Sequence, residues 1–400
     1  MLSISNKGKM MPSSPIRKLA VYAEEAKKKG THIYHLNIGQ PDIETPTELW
    51  QAVHSMQKKI LEYSPSNGYE SLRIKYAQYF QTRCNLPNLQ ADDILITTGA
   101  SEALFFTLLS ILDENDEVII PEPLYANYIG FSRSGNIKVR PIATSFENGF
   151  ALPSIDEFEA VINENTKAIL ICNPNNPTGY TYSYDELNRL KALALKHDLF
   201  IISDEVYREF VYAEQEHISL FSFEDLAQHL ILVDSISKRF SACGARIGMV
   251  ATKNKEVLET VLKFAQQRLS PPGLAQEAAK ALFDVDKDYF VAIKKEYQQR
   301  RDTIVGLLNK IDGVACHTPN GAFYCMVQLP VADTDDFCKW LLTDFNYNGA
   351  TVMLAPGSGF YATHNKGKNE VRIAYVLNSA DLTQAAKCLE EALKVYCSEK

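Results

Sequence analysis

No CxxC pair occurs among the eight scattered cysteines, and the eight histidines show no ligand spacing. Several cysteines sit in apolar strand-like runs, as Cys172 does in Ala-Ile-Leu-Ile-Cys. This pattern argues against a disulfide framework or a zinc site and for free thiols in a reducing cytosol. Basic residues are in deficit, with 41 Lys and Arg against 49 Asp and Glu and a formal net charge of −8. That balance disfavours non-specific binding to nucleic acid or to anionic membrane. No run approaches the roughly 20 apolar residues that span a bilayer. The start, MLSISNKGKMMPSS, lacks the apolar core of a secretory signal. Internal repeats and low-complexity tracts are missing too. A cytoplasmic protein is expected.

What is present fits a globular chain of 400 residues, 46% hydrophobic and 22% charged, long enough for two or three domains. Its middle alternates short β-branched runs with longer helical stretches, which predicts an α/β fold with a mainly parallel sheet. Seven strands are expected: Ile94-Thr97, Glu117-Ile120, Lys138-Ile142, Lys167-Cys172, Phe200-Ser203, Ile231-Asp234 and Gly248-Ala251. Helices are expected at Glu102-Leu112 and Tyr184-His197, and two more before the first strand, near Pro15-Lys29 and Thr47-Lys59. A charged helix from about Asp286 to Ile311 connects to a smaller α+β unit.

Six short segments carry chemistry. The apolar run Leu230 to Val233 leads into Asp234-Ser235-Ile236-Ser237-Lys238-Arg239-Phe240, with Arg246 close behind. An amine beside two hydroxyls and a guanidinium suits a phosphorylated aldehyde: the amine forms a Schiff base and the others hold the phosphate. Alone, the segment reads equally well as a surface loop. Thr98-Gly99-Ala100-Ser101 joins a strand to a helix, where free N–H groups make a phosphate cradle or an ordinary serine cap. Asn173-Pro174-Asn175-Asn176-Pro177-Thr178-Gly179 makes a rigid turn at the end of another strand, where open α/β sheets bind ligands. Ser203-Asp204-Glu205-Val206-Tyr207 places a carboxylate where it can pair with a protonated ring nitrogen, or simply cap a helix. Pro121-Glu122-Pro123-Leu124-Tyr125 offers an aromatic ring for stacking. Arg372, in Glu370-Val371-Arg372-Ile373-Ala374, offers a carboxylate fork or a surface ion pair. Their shared order, nearly all at strand ends, decides for a site.

In this order the chain resembles the class I/II aminotransferases of pyridoxal phosphate fold type I, near the aspartate/aromatic group. The likeness runs from Leu36-Asn37-Ile38-Gly39-Gln40-Pro41-Asp42 to the terminal helix. It implies a large cofactor-binding domain over residues 46–290 with a seven-stranded sheet, a small domain over 291–400, and a segment 1–45 packed with the small domain. By the resemblance, Lys238 carries pyridoxal 5'-phosphate as a Schiff base and later shuttles the substrate's Cα proton. Asp204 pairs with the ring nitrogen, Asn176 and Tyr207 bond the phenolic oxygen, and Tyr125 stacks on the ring. Gly99, Ala100, Ser101, Ser235, Ser237 and Arg246 bind the phosphate. Arg372, with Gly39 and Asn176, holds the substrate α-carboxylate. Tyr63, in Glu62-Tyr63-Ser64-Pro65-Ser66-Asn67-Gly68, matches a tyrosine that reaches the neighbouring subunit's phosphate and so implies a homodimer.

The expected activity is ping-pong exchange of an amino group between an L-amino acid, aspartate first, and a 2-oxo acid, 2-oxoglutarate first. One departure bears on the donor. Some aspartate-specific members carry a lysine at the position of Ser101, and Ile16 in the segment that covers the substrate would suit aromatic or aliphatic side chains. An aromatic, alanine or broad-range aminotransferase is the alternative, and a C–S lyase on the same fold is a more distant one. A transcription regulator is disfavoured by the acidic balance and by the lack of room for a DNA-binding module.

Overall fold

A computed structural model describes residues 2–212 and 215–399. Across its main sheet the strands run Ile94–Thr97, Gly248–Ala251, Leu230–Ser235, Phe200–Asp204, Thr166–Cys172, Glu117–Glu122 and Lys138–Ala143. Only Gly248–Ala251 runs against the rest. The central strands are buried along nearly their whole length, as continuous Ile/Leu/Val runs require when both faces are covered. One large cluster on one face joins Leu95, Leu170, Ile202 and Ile231, and another on the opposite face joins Ile169, Ile171, Ile201 and Leu190. Each fully buried side chain of this kind contributes about 1.5–3 kcal/mol.

Helix Tyr184–His197 starts at a capping box between Ser183 and Glu186 and stops at Asp198, whose φ of 52° is left-handed. The charged helix expected from about Asp286 to Ile311 runs Lys287–Leu308. Beyond it, Ala355–Pro356, Glu370–Ala374, Tyr324–Gln328 and Ala315–Cys316 form an antiparallel sheet. His32–His35, near the N-terminus, pairs in parallel with Ala350–Met353. Among the described residues no helix is long and apolar enough to cross a membrane.

Several expected bounds shift. The helix expected from Pro15 begins only at Ala20, because Ser14 to Leu19 form a turn in which the Ser14 carbonyl accepts from the Arg17 and Lys18 N–H groups. The one expected to reach Lys59 ends at His54. Helix Glu70–Arg83, not expected from the sequence, buries Leu72, Tyr76, Tyr79 and Phe80, spaced as one helical face.

Candidate active site

The carboxyl ends of the main-sheet strands open into a cavity of about 660 Å³. Twelve of the fourteen residues expected in the site line it; Gly99 and Tyr63 do not. Gly99 stands just behind the wall. It caps helix Ala100–Ile111 with a φ of 77°, and a Cβ there would lie 2.2 Å from Arg246 Nη2. Conformation and close approach both demand glycine. Gly248 plays the same part from the next strand, since its Cβ would fall 2.6 Å from the Ala100 nitrogen. The two glycines let strand, guanidinium and helix N-terminus close on one another. Arg246 donates to the carbonyls of Thr98 and Cys243, each at 3.2 Å, and Ser235 Oγ lies 2.7 Å from Ser237 Oγ. Hydroxyls, guanidinium and free N–H groups converge as an anion cradle.

Lys238 Nζ donates to the Gly39 carbonyl at 2.7 Å. Burial lowers its pKa, and the positive charges of Arg372 and Arg246 lower it further, which favours the neutral amine. Asp204 is 4% exposed and accepts from Tyr128 Oη at 2.8 Å and from the Val206 N–H at 3.3 Å. Burial pushes its carboxyl up to about 6, against the pull of those two hydrogen bonds. An ionised carboxylate held in such a place suits a protonated ring nitrogen.

Arg372 is 1% exposed. It donates to Asn176 Oδ1 at 3.0 Å and to the Asn37 carbonyl at 2.5 Å, and its Nε has no partner among the described residues. Its guanidinium lies 4.6 Å from the Tyr324 ring centre and 4.8 Å from that of Phe360. Asn176 Nδ2 in turn donates to Tyr207 Oη at 3.3 Å, and Tyr207 Oη is 2.9 Å from Tyr324 Oη. Burial, then the Tyr324 hydroxyl, raise the Tyr207 pKa well above the usual phenol range, so the group stays a donor. Tyr125 accepts from Asn127 Nδ2 at 2.8 Å and meets Tyr128 edge-on. Tyr63 is 78% exposed and lies outside its own chain's cavity.

Tyr128, Tyr324 and Asn37 escaped the sequence reading. Tyr128 carried a usable signal, three residues after Tyr125 and so on the same side of a helical turn. Tyr324 reaches the site because its strand pairs with that of Arg372, whose direct partner is Met326.

Glu205 and Arg239, the sequence neighbours of Asp204 and Lys238, are absent from the cavity lining and buried. Glu205 pairs with Arg208, and Arg239 with Asp234, all four at most 4% exposed. Arg239 also lies over the Tyr79 ring. These pairs brace the strand ends that carry Asp204 and Lys238. Arg239→Met leaves Asp234 buried without its cation and is expected to cost about 3–5 kcal/mol, read by denaturant unfolding. A loss under about 1 kcal/mol would contradict the bracing role.

The family described as aminotransferase class I and II matches residues 31–389. The aspartate aminotransferase of Bacillus subtilis is 32% identical over 387 residues, covering 94% of this chain and 95% of that protein. Aromatic-amino-acid aminotransferase 2 of Thermococcus litoralis is 31% identical over 399 residues, covering 98% and 99%. Among solved structures, the alanine aminotransferase of Pyrococcus furiosus superposes with a TM-score of 0.90 at 30% identity, covering 98% of this chain and 100% of that one. The chain belongs to the class I and II aminotransferases, enzymes that depend on pyridoxal phosphate.

Proposed function

We propose that the enzyme moves an amino group between an L-amino acid, with aspartate as the leading donor, and 2-oxoglutarate. One observation carries the site assignment: Lys238, Asp204 and Arg372 line one cavity with the anion cradle. The cradle, the buried carboxylate and the amine match the phosphate, ring nitrogen and aldehyde of pyridoxal phosphate. When bound, the cofactor supplies a conjugated electron sink beside the substrate Cα.

The Ala100 and Ser101 N–H groups, backed by Gly99, would hold the phosphate with Ser235, Ser237 and Arg246. Asp204, oriented by Tyr128, would hold the ring nitrogen in its protonated form. Asn176 and Tyr207 would donate to the ring oxygen, and Tyr125 would stack on the ring. Arg372 holds the substrate α-carboxylate together with Asn176 and Gly39. Lys238 Nζ would hold the cofactor through its aldehyde and would carry the substrate's Cα proton as base and acid. Because the Lys238 pKa is lowered by burial, less of the amine is lost to protonation near neutral pH.

Aspartate leads because relatives over nearly the full chain, such as those of Bacillus subtilis and Thermus thermophilus, are aspartate aminotransferases. Ile16 and Leu104 in the cavity, with the aromatic and alanine enzymes among the similar proteins, favour a broader donor range as a second reading. Steady-state assay of aspartate with 2-oxoglutarate, followed by oxaloacetate and glutamate, tests the first. Phenylalanine or alanine turning over faster than aspartate would establish the second, and pyruvate and ammonia formed without an acceptor would point to a lyase.

The reading extends to a cytoplasmic homodimer in which Tyr63 of one subunit reaches the other's phosphate. The exposure of Tyr63 away from its own cavity supports this, and sedimentation at a two-chain mass checks it. It also divides the chain into 1–45, 46–290 and 291–400, supported by the pairing of His32–His35 with Ala350–Met353.

A further inference from the structure

The Tyr207 hydroxyl carries one proton and can accept two hydrogen bonds. Arg372 settles the first of these. Its Nη1 donates to Asn176 Oδ1 at 3.0 Å, so the other end of that amide is the NH2, which donates to Tyr207 Oη at 3.3 Å. The remaining neighbour is Tyr324 Oη at 2.9 Å, and either hydroxyl could supply the proton between the two. If Tyr207 supplied it, none would be left for the ring oxygen of the cofactor. The direction of this one bond decides whether Tyr207 can serve the reaction.

Charge and packing both bear on that direction. The Arg372 guanidinium lies 4.6 Å from the Tyr324 ring centre. Burial raises the pKa of both phenols, but Arg372 pulls that of Tyr324 back down, whereas Tyr324 pushes that of Tyr207 further up. Of two phenols sharing a proton, the more acidic donates. The Tyr324 hydroxyl is also fixed in place. A Cβ on Gly39 would lie 1.8 Å from Tyr324 Oη, so glycine there leaves the space that the hydroxyl fills. The Tyr324 ring meets that of Tyr207 edge-on at 5.4 Å and is 2% exposed. Tyr207 is the single hydrogen-bond partner of the Tyr324 hydroxyl among the described residues.

We propose that Tyr324 is a positioning residue of the reaction: its hydroxyl donates to Tyr207 and turns the one Tyr207 proton into the cavity, toward the ring oxygen of the cofactor. This rests on the proposed contact between Tyr207 and that oxygen. Arg372 thereby backs Tyr207 from two sides, through the Asn176 amide and through the Tyr324 ring. A hydroxyl that accepts two hydrogen bonds donates its own more strongly. A hydrogen bond given to the ring oxygen loosens that oxygen's hold on the proton of the neighbouring Lys238 nitrogen, which is then lost at lower pH.

The test is a pH titration of the absorbance of the cofactor-loaded enzyme without substrate, which follows the Lys238 nitrogen and needs no turnover. Tyr324→Phe keeps the ring beside Arg372 and removes only the hydroxyl. It is expected to raise the midpoint by about 0.7 pH unit, roughly 5-fold in the proton equilibrium. Tyr207→Phe is expected to raise it by more, and adding Tyr324→Phe to Tyr207→Phe to change it by under about 0.2 unit. A Tyr324→Phe midpoint within about 0.2 unit of the parent, or a shift that adds in full to that of Tyr207→Phe, would overturn the inference. Equilibrium binding of propionate reads Arg372 and should change less than about 3-fold in Tyr324→Phe; a larger loss would move the effect to Arg372 and also overturn it. Failure of the underlying reading shows separately, as a Tyr207→Phe midpoint equal to that of the parent.

Discussion

Lys238→Ala is expected to lower kcat for transamination by about 10⁴-fold or more, the largest effect of any single substitution in the chain. Lys238 combines two tasks that no neighbour can take over. Among the described residues it is the sole amine lining the cavity, and the Cys243 thiol lies 4.0 Å from its Nζ. The substitution removes the hydrogen bonds from Nζ to the Gly39 carbonyl and the Cys243 sulfur, and leaves the anion cradle and Asp204 in place. The protein should therefore still fold and still bind pyridoxal phosphate, without the absorbance of the Schiff base. Single-turnover measurements with saturating donor separate chemistry from binding. A variant that retains activity within about 10-fold of the parent would remove Lys238 from the proton path.

Asp204→Asn is expected to cost about 10³-fold in kcat and to weaken cofactor retention, because an amide of similar shape cannot hold a protonated ring nitrogen. Shape is nearly conserved, so the hydrogen bond from Tyr128 Oη can persist and the loss reports charge. A pH dependence follows with a definite sign. Burial raises the Asp204 carboxyl to about 6 in the cofactor-free protein. Below that pH the carboxyl is protonated and neutral; above it the group is ionised. Affinity for pyridoxal phosphate should accordingly fall as pH drops through about 6, and Asp204→Asn should lose that segment of the curve. Titration of cofactor-free protein followed by tyrosine fluorescence reads this without any turnover. A parent curve that is flat across this range, or a variant curve with the same inflection, would contradict the assignment.

The main-sheet strands were legible because their physical signal is local. Thr166–Cys172 and Leu230–Ser235 are continuous buried runs, and Tyr184–His197 announces both ends through Ser183 and Asp198. Helix Glu70–Arg83 hid because its buried face is built mainly from tyrosine and phenylalanine among Arg73, Lys75 and Gln78, which weakens the hydrophobic period. His32–His35 hid for another reason: a four-residue edge pair is specified by its partner, Ala350–Met353, in the distant C-terminal part. The site divides in the same way. Segments that follow strands, such as Asn173–Gly179 and Asp204–Tyr207, could be placed from the sequence, since strand ends converge on one edge of the sheet. Tyr324, Asn37 and Arg17 could not, because they reach the cavity only through the packing of the N-terminal segment and small sheet around Arg372.

The most direct test of the account is a half-reaction spectrum of the cofactor-loaded protein, taken without oxo acid, against aspartate, glutamate, alanine, phenylalanine and tyrosine. The yellow form is expected to convert to pyridoxamine phosphate, with one oxo acid released per site and aspartate or glutamate reacting fastest. A spectrum unchanged by every donor, or pyruvate released from cysteine conjugates in its place, would contradict it.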